Sequence, residues 1–330
     1  MGINILGTGK YLPKTVITNK QLETLVDTSD EWIFTRTGIK ERRMVDDENT
    51  TVMGTQAALI ALKNADVLPT DIDVVVVSTV TPDFQTPSTA CIIADRIGAV
   101  NAICLDINCA CAGFIYALDI AKKYLYDEDC DYKKALIISA ESLTKMTDFS
   151  DRASCILFGD GSGACVVEKA DKLYKNFVGC DPTGATKLFA RGIPTGNPYL
   201  KESNINLDTF PESNGHYLFQ DGKAVYKFAT NAMPKAVEIA CQRANITPND
   251  LDLILCHQAN YRIIETAAKN LGLPLEKIFI NIHKYGNSSS ACIPICLNEA
   301  IEEGKIKRGN KICFVGFGAG LVYGATVLEY

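Results

Sequence analysis

Cys111, His257 and Asn287 stand far apart in the chain, yet their types together suit covalent catalysis: a thiol nucleophile with two polar side chains around it. Cys111 lies in Leu105-Asp-Ile-Asn-Cys-Ala-Cys111-Ala-Gly-Phe-Ile-Tyr-Ala-Leu-Asp-Ile-Ala-Lys122, which passes from an apolar strand through small residues into an amphipathic helix. Unpaired amides and the positive end of the helix dipole favour a thiolate at such a start by on the order of 1 kcal/mol, so a lowered pKa is expected. Ala110, Ala112 and Gly113 leave room for a substrate. By position alone Cys111 is one of thirteen cysteines, most of which read as core thiols.

His257 closes the apolar strand Leu253-Ile-Leu-Cys256, and Asn287 sits in His283-Lys-Tyr-Gly-Asn287-Ser-Ser-Ser-Ala291. Counting 176 residues on from Cys111 reaches Asn287, at what reads as a second strand-to-helix junction. A histidine after a strand is more often structural, and an asparagine before serines more often a helix cap. Their joint placement at strand ends, where α/β proteins build their sites, favours function.

The elements that must position these residues come in two copies. Ala57, Ala61, Ala65, Val67, Pro69, Asp71 and Asp73 match Ala236, Ala240, Ala244, Ile246, Pro248, Asp250 and Asp252 at a constant offset of 179. Alanines at i and i+4 line one helical face. Proline stops the pattern, and Val74-Val75-Val76-Val77 or Leu253-Ile254-Leu255 then reads as a strand covered on both faces. Further on, Lys134–Ile138 aligns with Lys311–Val315, and Gly163–Glu168 with Gly324–Glu329. Two stacked copies predict a layered α/β body with mixed sheets, divided into residues 1–170 and 171–330. Residues 171–222, rich in Gly, Pro, Asn and Asp, read as an irregular insertion that shapes access to the site.

Composition narrows the class. At 330 residues, with 47% hydrophobic and 22% charged residues, the chain has the balance of a globular protein with a large core. A net charge of −6 argues against a nucleic-acid surface. No apolar run is long enough to span a membrane and the first residues lack a signal-peptide pattern, so no membrane partner and a cytoplasmic location are expected. The scattered cysteines fit a reducing compartment. Cys109-x-Cys111 and Cys292-x-x-x-Cys296 lack the spacing and nearby His of a zinc site, so no metal is expected.

Six separated segments carry a family likeness: Thr28-Ser-Asp-Glu-Trp32 to Arg43, Cys111-Ala-Gly-Phe, Phe158-Gly-Asp-Gly-Ser-Gly-Ala, His257-Gln-Ala-Asn260, Tyr285-Gly-Asn-Ser-Ser and Phe317-Gly-Ala-Gly-Leu. In this order they resemble β-ketoacyl-acyl carrier protein synthase III over essentially the whole chain. The resemblance implies a thiolase-like fold, a duplicated α/β/α/β/α body. It also implies a decarboxylative Claisen condensation that starts fatty acid synthesis: an acyl-CoA acylates Cys111, and malonyl-acyl carrier protein attacks the thioester. His257 Nε2 and Asn287 Nδ2 would stabilise the enolate, and the Gly318-Ala319-Gly320 loop the oxyanion. No cofactor is implied. Thr28, Trp32, Arg36, Arg152 and Asn260 fall at positions for CoA and pantetheine. Arg262, Lys269 and Lys227 fall where an acidic carrier protein docks. A homodimer is expected, since the segment around Ala102 to Asn108 is apolar enough to pair across a two-fold axis and Thr86 should reach the neighbouring site.

This chain departs from the family at Ala319, where a glycine is common, and at Leu321-Val322-Tyr323-Gly324, where a Thr-Trp-Gly ending is common. Thr86 replaces a phenylalanine that plugs the partner's acyl pocket in acetyl-selective relatives, so a wider primer pocket is expected. The rival reading is a ketide synthase or acyltransferase of secondary metabolism that uses the same acyl-Cys step.

Overall fold

The computed structural model describes residues 1–192, 210–211 and 216–330. The five residues Val74–Ser78 are all buried, as a β-branched run without charge demands when a sheet is covered on both faces. This strand pairs in parallel with Ile103–Ile107 on one side and Lys134–Ser142 on the other. Asp160–Ala170 follows antiparallel, and Gly2–Tyr11 closes the far edge.

The second sheet repeats the first member by member. Tyr174–Cys180, Val322–Glu329, Lys311–Gly318, Leu253–Cys256 and Ile278–Phe279 occur in the spatial order of Gly2–Tyr11, Asp160–Ala170, Lys134–Ser142, Val74–Ser78 and Ile103–Ile107. Tyr174–Cys180, inside the span expected to be irregular, is thus a regular strand that pairs along Val322–Leu328. The later part of that span contributes Leu188, Phe189, Leu218 and Gln220 to the wall of a cavity, and 193–209 and 212–215 lie outside the described residues.

Helices fill the layers. Gly113–Leu125 and Cys292–Glu302 lie between the sheets, where Phe114, Ile115, Ile293 and Leu297 join Val74, Val76, Leu255 and Phe314 in one buried cluster. On the outer face of the first sheet, Ala57 and Ala61 of Thr50–Ala65 pack on Val75 and Val77. On the second, Ala236 and Ala240 of Gly222–Arg243 pack on Ile254 and Cys313. Alanine faces let these helices approach closely and bury nearly all of their stripe.

Backbone detail repeats as well. The non-glycine residues at positive φ, among the described residues, are Asp66 with Asn245 and Ala110 with Ser289, and each pair is 179 apart. Asp73 Oδ2 accepts from Lys134 N at 2.9 Å, and Asp252 Oδ2 from Lys311 N at 2.7 Å, each at the start of equivalent strands.

Candidate active site

Cys111, His257 and Asn287 line one cavity of about 1090 Å³. Cys111 belongs to the 3-10 turn Ala110–Ala112, which opens the Gly113–Leu125 helix. The small residues around it are required by contact. A Cβ on Gly113 would collide with Ser78 Oγ, and one on Gly318 would lie 2.6 Å from Cys111 N. Gly318 and Ala319 also line the cavity, so the Gly318-Ala319-Gly320 turn runs past the nucleophile's backbone; Gly320 is outside the lining.

His257 is held by its backbone N–H, which donates to Val315 O at 2.8 Å, and its ring packs edge-on to Phe317. Burial drives its pKa down to about 3, against a hydrogen bond with the Ser289 backbone, so the imidazole is neutral at ordinary pH. The ring nitrogen left buried without a partner is Nδ1, not the Nε2 expected to act. Asn287 Oδ1 accepts from Ser289 N at 2.9 Å, which turns the amide so that Nδ2 has no hydrogen bond among the described residues.

Cys111 does not have the lowered pKa expected of a helix start. Its residue keeps some exposure to the cavity, but burial of the sulfur pushes the thiol up to about 12. The Ser289 side chain and the thiol's own backbone pull it down, while Cys292 and Glu141 push it further up. Desolvation of a thiolate outweighs the roughly 1 kcal/mol of a helix start.

The register of the duplication also needs correction. The turn Ala110–Ala112 corresponds to Ser289–Ala291, and Gly113 to Cys292, so the offset at the site is 179, not 176. The twin of Asn287 is Asn108, whose Oδ1 accepts from Ala110 N as Asn287 Oδ1 does from Ser289 N. Cys111 is twinned with Ser290, and His257 with Ser78.

Of the residues expected to meet CoA, Trp32, Arg36 and Asn260 line the cavity, and Thr28 and Arg152 do not. Arg36 and Arg152 place their guanidinium carbons 4.5 and 4.8 Å from the centre of the Trp32 ring, and Arg152 Nη1 donates to Asp27 O. Thr28 Oγ1 is buried without a partner. Asn260 caps the Tyr261–Asn270 helix through Arg262 N. Arg262 lines the cavity mouth, and its Nε and Nη2 donate to Thr35 O at 3.2 and 2.9 Å, tying that helix to the one bearing Trp32. Lys227 and Lys269 are exposed outside the cavity, on helices joined by Tyr226 Oη and Thr266 Oγ1 at 2.8 Å. Thr86 is exposed and outside its own chain's cavity, so any part in an acyl pocket depends on a second copy.

Sequence reasoning missed Ser289 and Glu141. Ser289 touches Asn287 through its N–H, His257 through its backbone and Cys111 through its side chain. Glu141 is fully buried behind it. The available signal was a charged residue ending the apolar strand Ala135-Leu-Ile-Ile-Ser-Ala-Glu141.

A duplicated five-layer α/β body with cysteine, histidine and asparagine on one cavity defines a condensing acyltransferase of the thiolase fold. Residues 105–181 match the family model for 3-oxoacyl-[acyl-carrier-protein] synthase III, and residues 241–330 its C-terminal model. A relative from Caldanaerobacter subterraneus subsp. tengcongensis, a β-ketoacyl-[acyl-carrier-protein] synthase III, is 44% identical over 99% of this chain and 97% of its own. One of the same name from Clostridium acetobutylicum is 42% identical over 99% and 98%. The crystal structure of 3-oxoacyl-[acyl-carrier-protein] synthase III from Aquifex aeolicus superposes with a TM-score of 0.90 at 41% identity, covering 100% of both chains. The chain belongs to the β-ketoacyl-[acyl-carrier-protein] synthase III family.

Proposed function

We propose that this protein joins an acyl-CoA primer to malonyl-acyl carrier protein, with loss of carbon dioxide, as the first condensation of fatty acid synthesis. The observation that carries the reading is the gathering of Cys111, His257 and Asn287 on one cavity, which Trp32 and Arg36 also line. Cys111 attacks the acyl-CoA carbonyl, and the backbone amides of Cys111 and of the Gly318–Gly320 turn hold the oxyanion. Malonyl thioester then enters. As carbon dioxide leaves, the enolate oxygen accepts hydrogen bonds from neutral His257 and from Asn287 Nδ2, and the carbanion attacks the acyl-Cys111 thioester. A histidine kept neutral by burial is fitted to donate a hydrogen bond without trading protons.

Trp32, Arg36 and Arg152 bind the nucleotide, Thr28 completes its site, and Asn260 meets the pantetheine arm. Lys227, Arg262 and Lys269 receive the acidic carrier protein. Two copies pair through Ile103–Ile107, the edge strand of the first sheet, whose outer side no strand of this chain covers among the described residues. No helix among the described residues is long and apolar enough to cross a membrane, and the scattered free cysteines suit a reducing cytoplasm.

The test is incubation with acyl-CoAs of increasing length and malonyl-acyl carrier protein, with products identified by mass. The reading requires a 3-oxoacyl-carrier product and an acyl adduct on Cys111 alone. An adduct elsewhere, or acyl transfer without decarboxylation, overturns it.

A further inference from the structure

The motif His257-Gln-Ala-Asn260 sends His257, Ala259 and Asn260 to the cavity wall, and Gln258 is left out of it. That glutamine is 1% exposed, and its amide is fully bonded. Nε2 donates to Cys256 O at 2.9 Å and to Phe279 O at 3.1 Å, while Oε1 accepts from Asn281 N at 3.1 Å and from Ile282 N at 3.2 Å. Only a carboxamide can donate twice and accept twice from one planar group. The bonds fall where a ladder stops. Leu253–Cys256 and Ile278–Phe279 pair in parallel at Ile254 with Ile278 and Leu255 with Phe279, and the Gln258 amide carries the connection onward to the next turn. From there to Asn287 the chain is braced. Lys284 N donates to Asn281 O and Gly286 N to Ile282 O, both at 2.9 Å, which closes the short helix Ile282–Tyr285. Asn281 Nδ2 donates to Glu299 Oε2 at 2.9 Å, and Asn287 N to Leu157 O at 2.9 Å. One side chain therefore joins the strand end that carries His257 to the segment that carries Asn287.

We propose that Gln258 is a positioning residue that sets the spacing of His257 and Asn287 for the decarboxylation step. An enolate oxygen must meet both donors at once, and a donor helps only within about 3 Å of the charge that develops. Acylation of Cys111 draws instead on the backbone amides of Cys111 and of the Gly318–Gly320 turn, to which the Gln258 side chain makes no hydrogen bond among the described residues. The two halves of the reaction therefore depend on Gln258 unequally. The ionisable groups around it keep their state near neutrality. Burial pushes the Cys256 thiol, 3.4 Å from Nε2, up to about 12 and holds His257 down to about 3. Against burial, hydrogen bonds from Tyr285 and Asn281 hold Glu299, on the far side of Asn281, below the usual carboxylate range.

The inference rests on the proposed condensation, and the experiment separates the two. Native protein, Gln258→Glu and Gln258→Met, each checked for folding by circular dichroism, are followed from about pH 6 to 8 in two assays. One is acylation of Cys111 by acetyl-CoA, read by mass; the other is carbon dioxide release from malonyl-acyl carrier protein by the acylated enzyme. A carboxylate at 258 still accepts from Asn281 N and Ile282 N, but it faces Cys256 O and Phe279 O with no proton to give, and burial raises its pKa. At about pH 8, Gln258→Glu is expected to lose about a hundredfold in carbon dioxide release while acylation stays within about threefold of native. Its release relative to native then recovers by up to about tenfold per unit as the pH falls, because the protonated acid donates again. Gln258→Met, with no proton to gain, shows the same split without the recovery, and it decides alone should Gln258→Glu fail to fold. Acylation and release falling together in a folded variant, release within about threefold of native, or no recovery in Gln258→Glu at low pH overturns the positioning role and leaves the condensation intact. A native protein that acylates Cys111 yet releases no carbon dioxide overturns both.

Discussion

The duplication builds two centres from one plan, and only one of them is open. In the first, Cys111 and His257 face a cavity beside Gly318. In the second, their twins Ser290 and Ser78 meet directly, Ser290 Oγ lying 3.4 Å from Ser78 O. The twin of Gly318, by the matching of Lys134 with Lys311 at the strand starts, is Glu141. Its carboxylate accepts from Ser290 Oγ at 2.7 Å, and Ser290 is fully buried. Equivalent backbones therefore do not make equivalent sites. Where the first centre has a glycine, the second has a carboxylate held in a packed hydrogen-bond network.

The largest expected effect removes the difference at its source. Cys111→Ala should lower condensation by about four orders of magnitude or more, because no covalent intermediate forms. Adding Ser290→Cys to that variant should restore nothing, and peptide mapping should find no acyl group at position 290. An adduct there would break the contrast between open and sealed centres. Next, Asn287→Ala should cost hundreds-fold in condensation, about 3 to 4 kcal/mol, while Cys111 is still acylated. Its twin Asn108→Ala should change the rate by less than about threefold, since losing a donor matters only where charge develops. Equal losses would show that the two asparagines share the work.

The pH dependence of stability sharpens the same contrast, since His257 titrates and its twin Ser78 does not. With a folded pKa near 3 against an ordinary value near 6.5, His257 binds its proton only in the unfolded chain across that window. Its contribution is complete above about pH 6.5 and is lost as the pH falls toward 3. Denaturant titrations of native protein and His257→Gln should therefore differ in slope by up to about 1.4 kcal/mol per pH unit within the window and run parallel above it. The smallest effect concerns a residue outside both centres. Thr86→Phe should shift preference toward acetyl-CoA by about fourfold for each methylene the pocket no longer accepts. Specificity constants for acetyl-, butyryl-, isobutyryl- and octanoyl-CoA check this, and an unchanged ranking removes Thr86 as gatekeeper.

Much of this was legible before the structure because identities survive where helix meets strand. Ala57 to Asp73 and Ala236 to Asp252 keep spacing and type, and both copies fold alike. Tyr174–Cys180 escaped notice because it shares position but not residues with Gly2–Tyr11, and an edge strand among polar turns has no period to read. Counting 176 reached Asn287 from the wrong partner, since a register three residues off still connects two small-residue junctions. The direction of the Cys111 pKa was illegible for a physical reason: a helix start is local and readable, whereas desolvation depends on which distant segments pack over the sulfur. Ser289 belongs to the same class, because its contacts to Cys111 and Glu141 span the whole length between the two halves.

Were Trp32 to stack on a purine as proposed, the two guanidinium groups over its ring would give that contact the form of an exchange. The indole has cationic company at 4.5 and 4.8 Å, so a purine stacked on it would replace a contact instead of adding one. Arg152 is anchored to Asp27 O, and Arg36, on the cavity wall, is the partner better placed to give way. A displaced guanidinium carries its charge to the phosphates of the same ligand. Ring and phosphate affinities would thereby be coupled: a ligand stripped of phosphate would lose the ionic contact and also the compensation that makes stacking favourable.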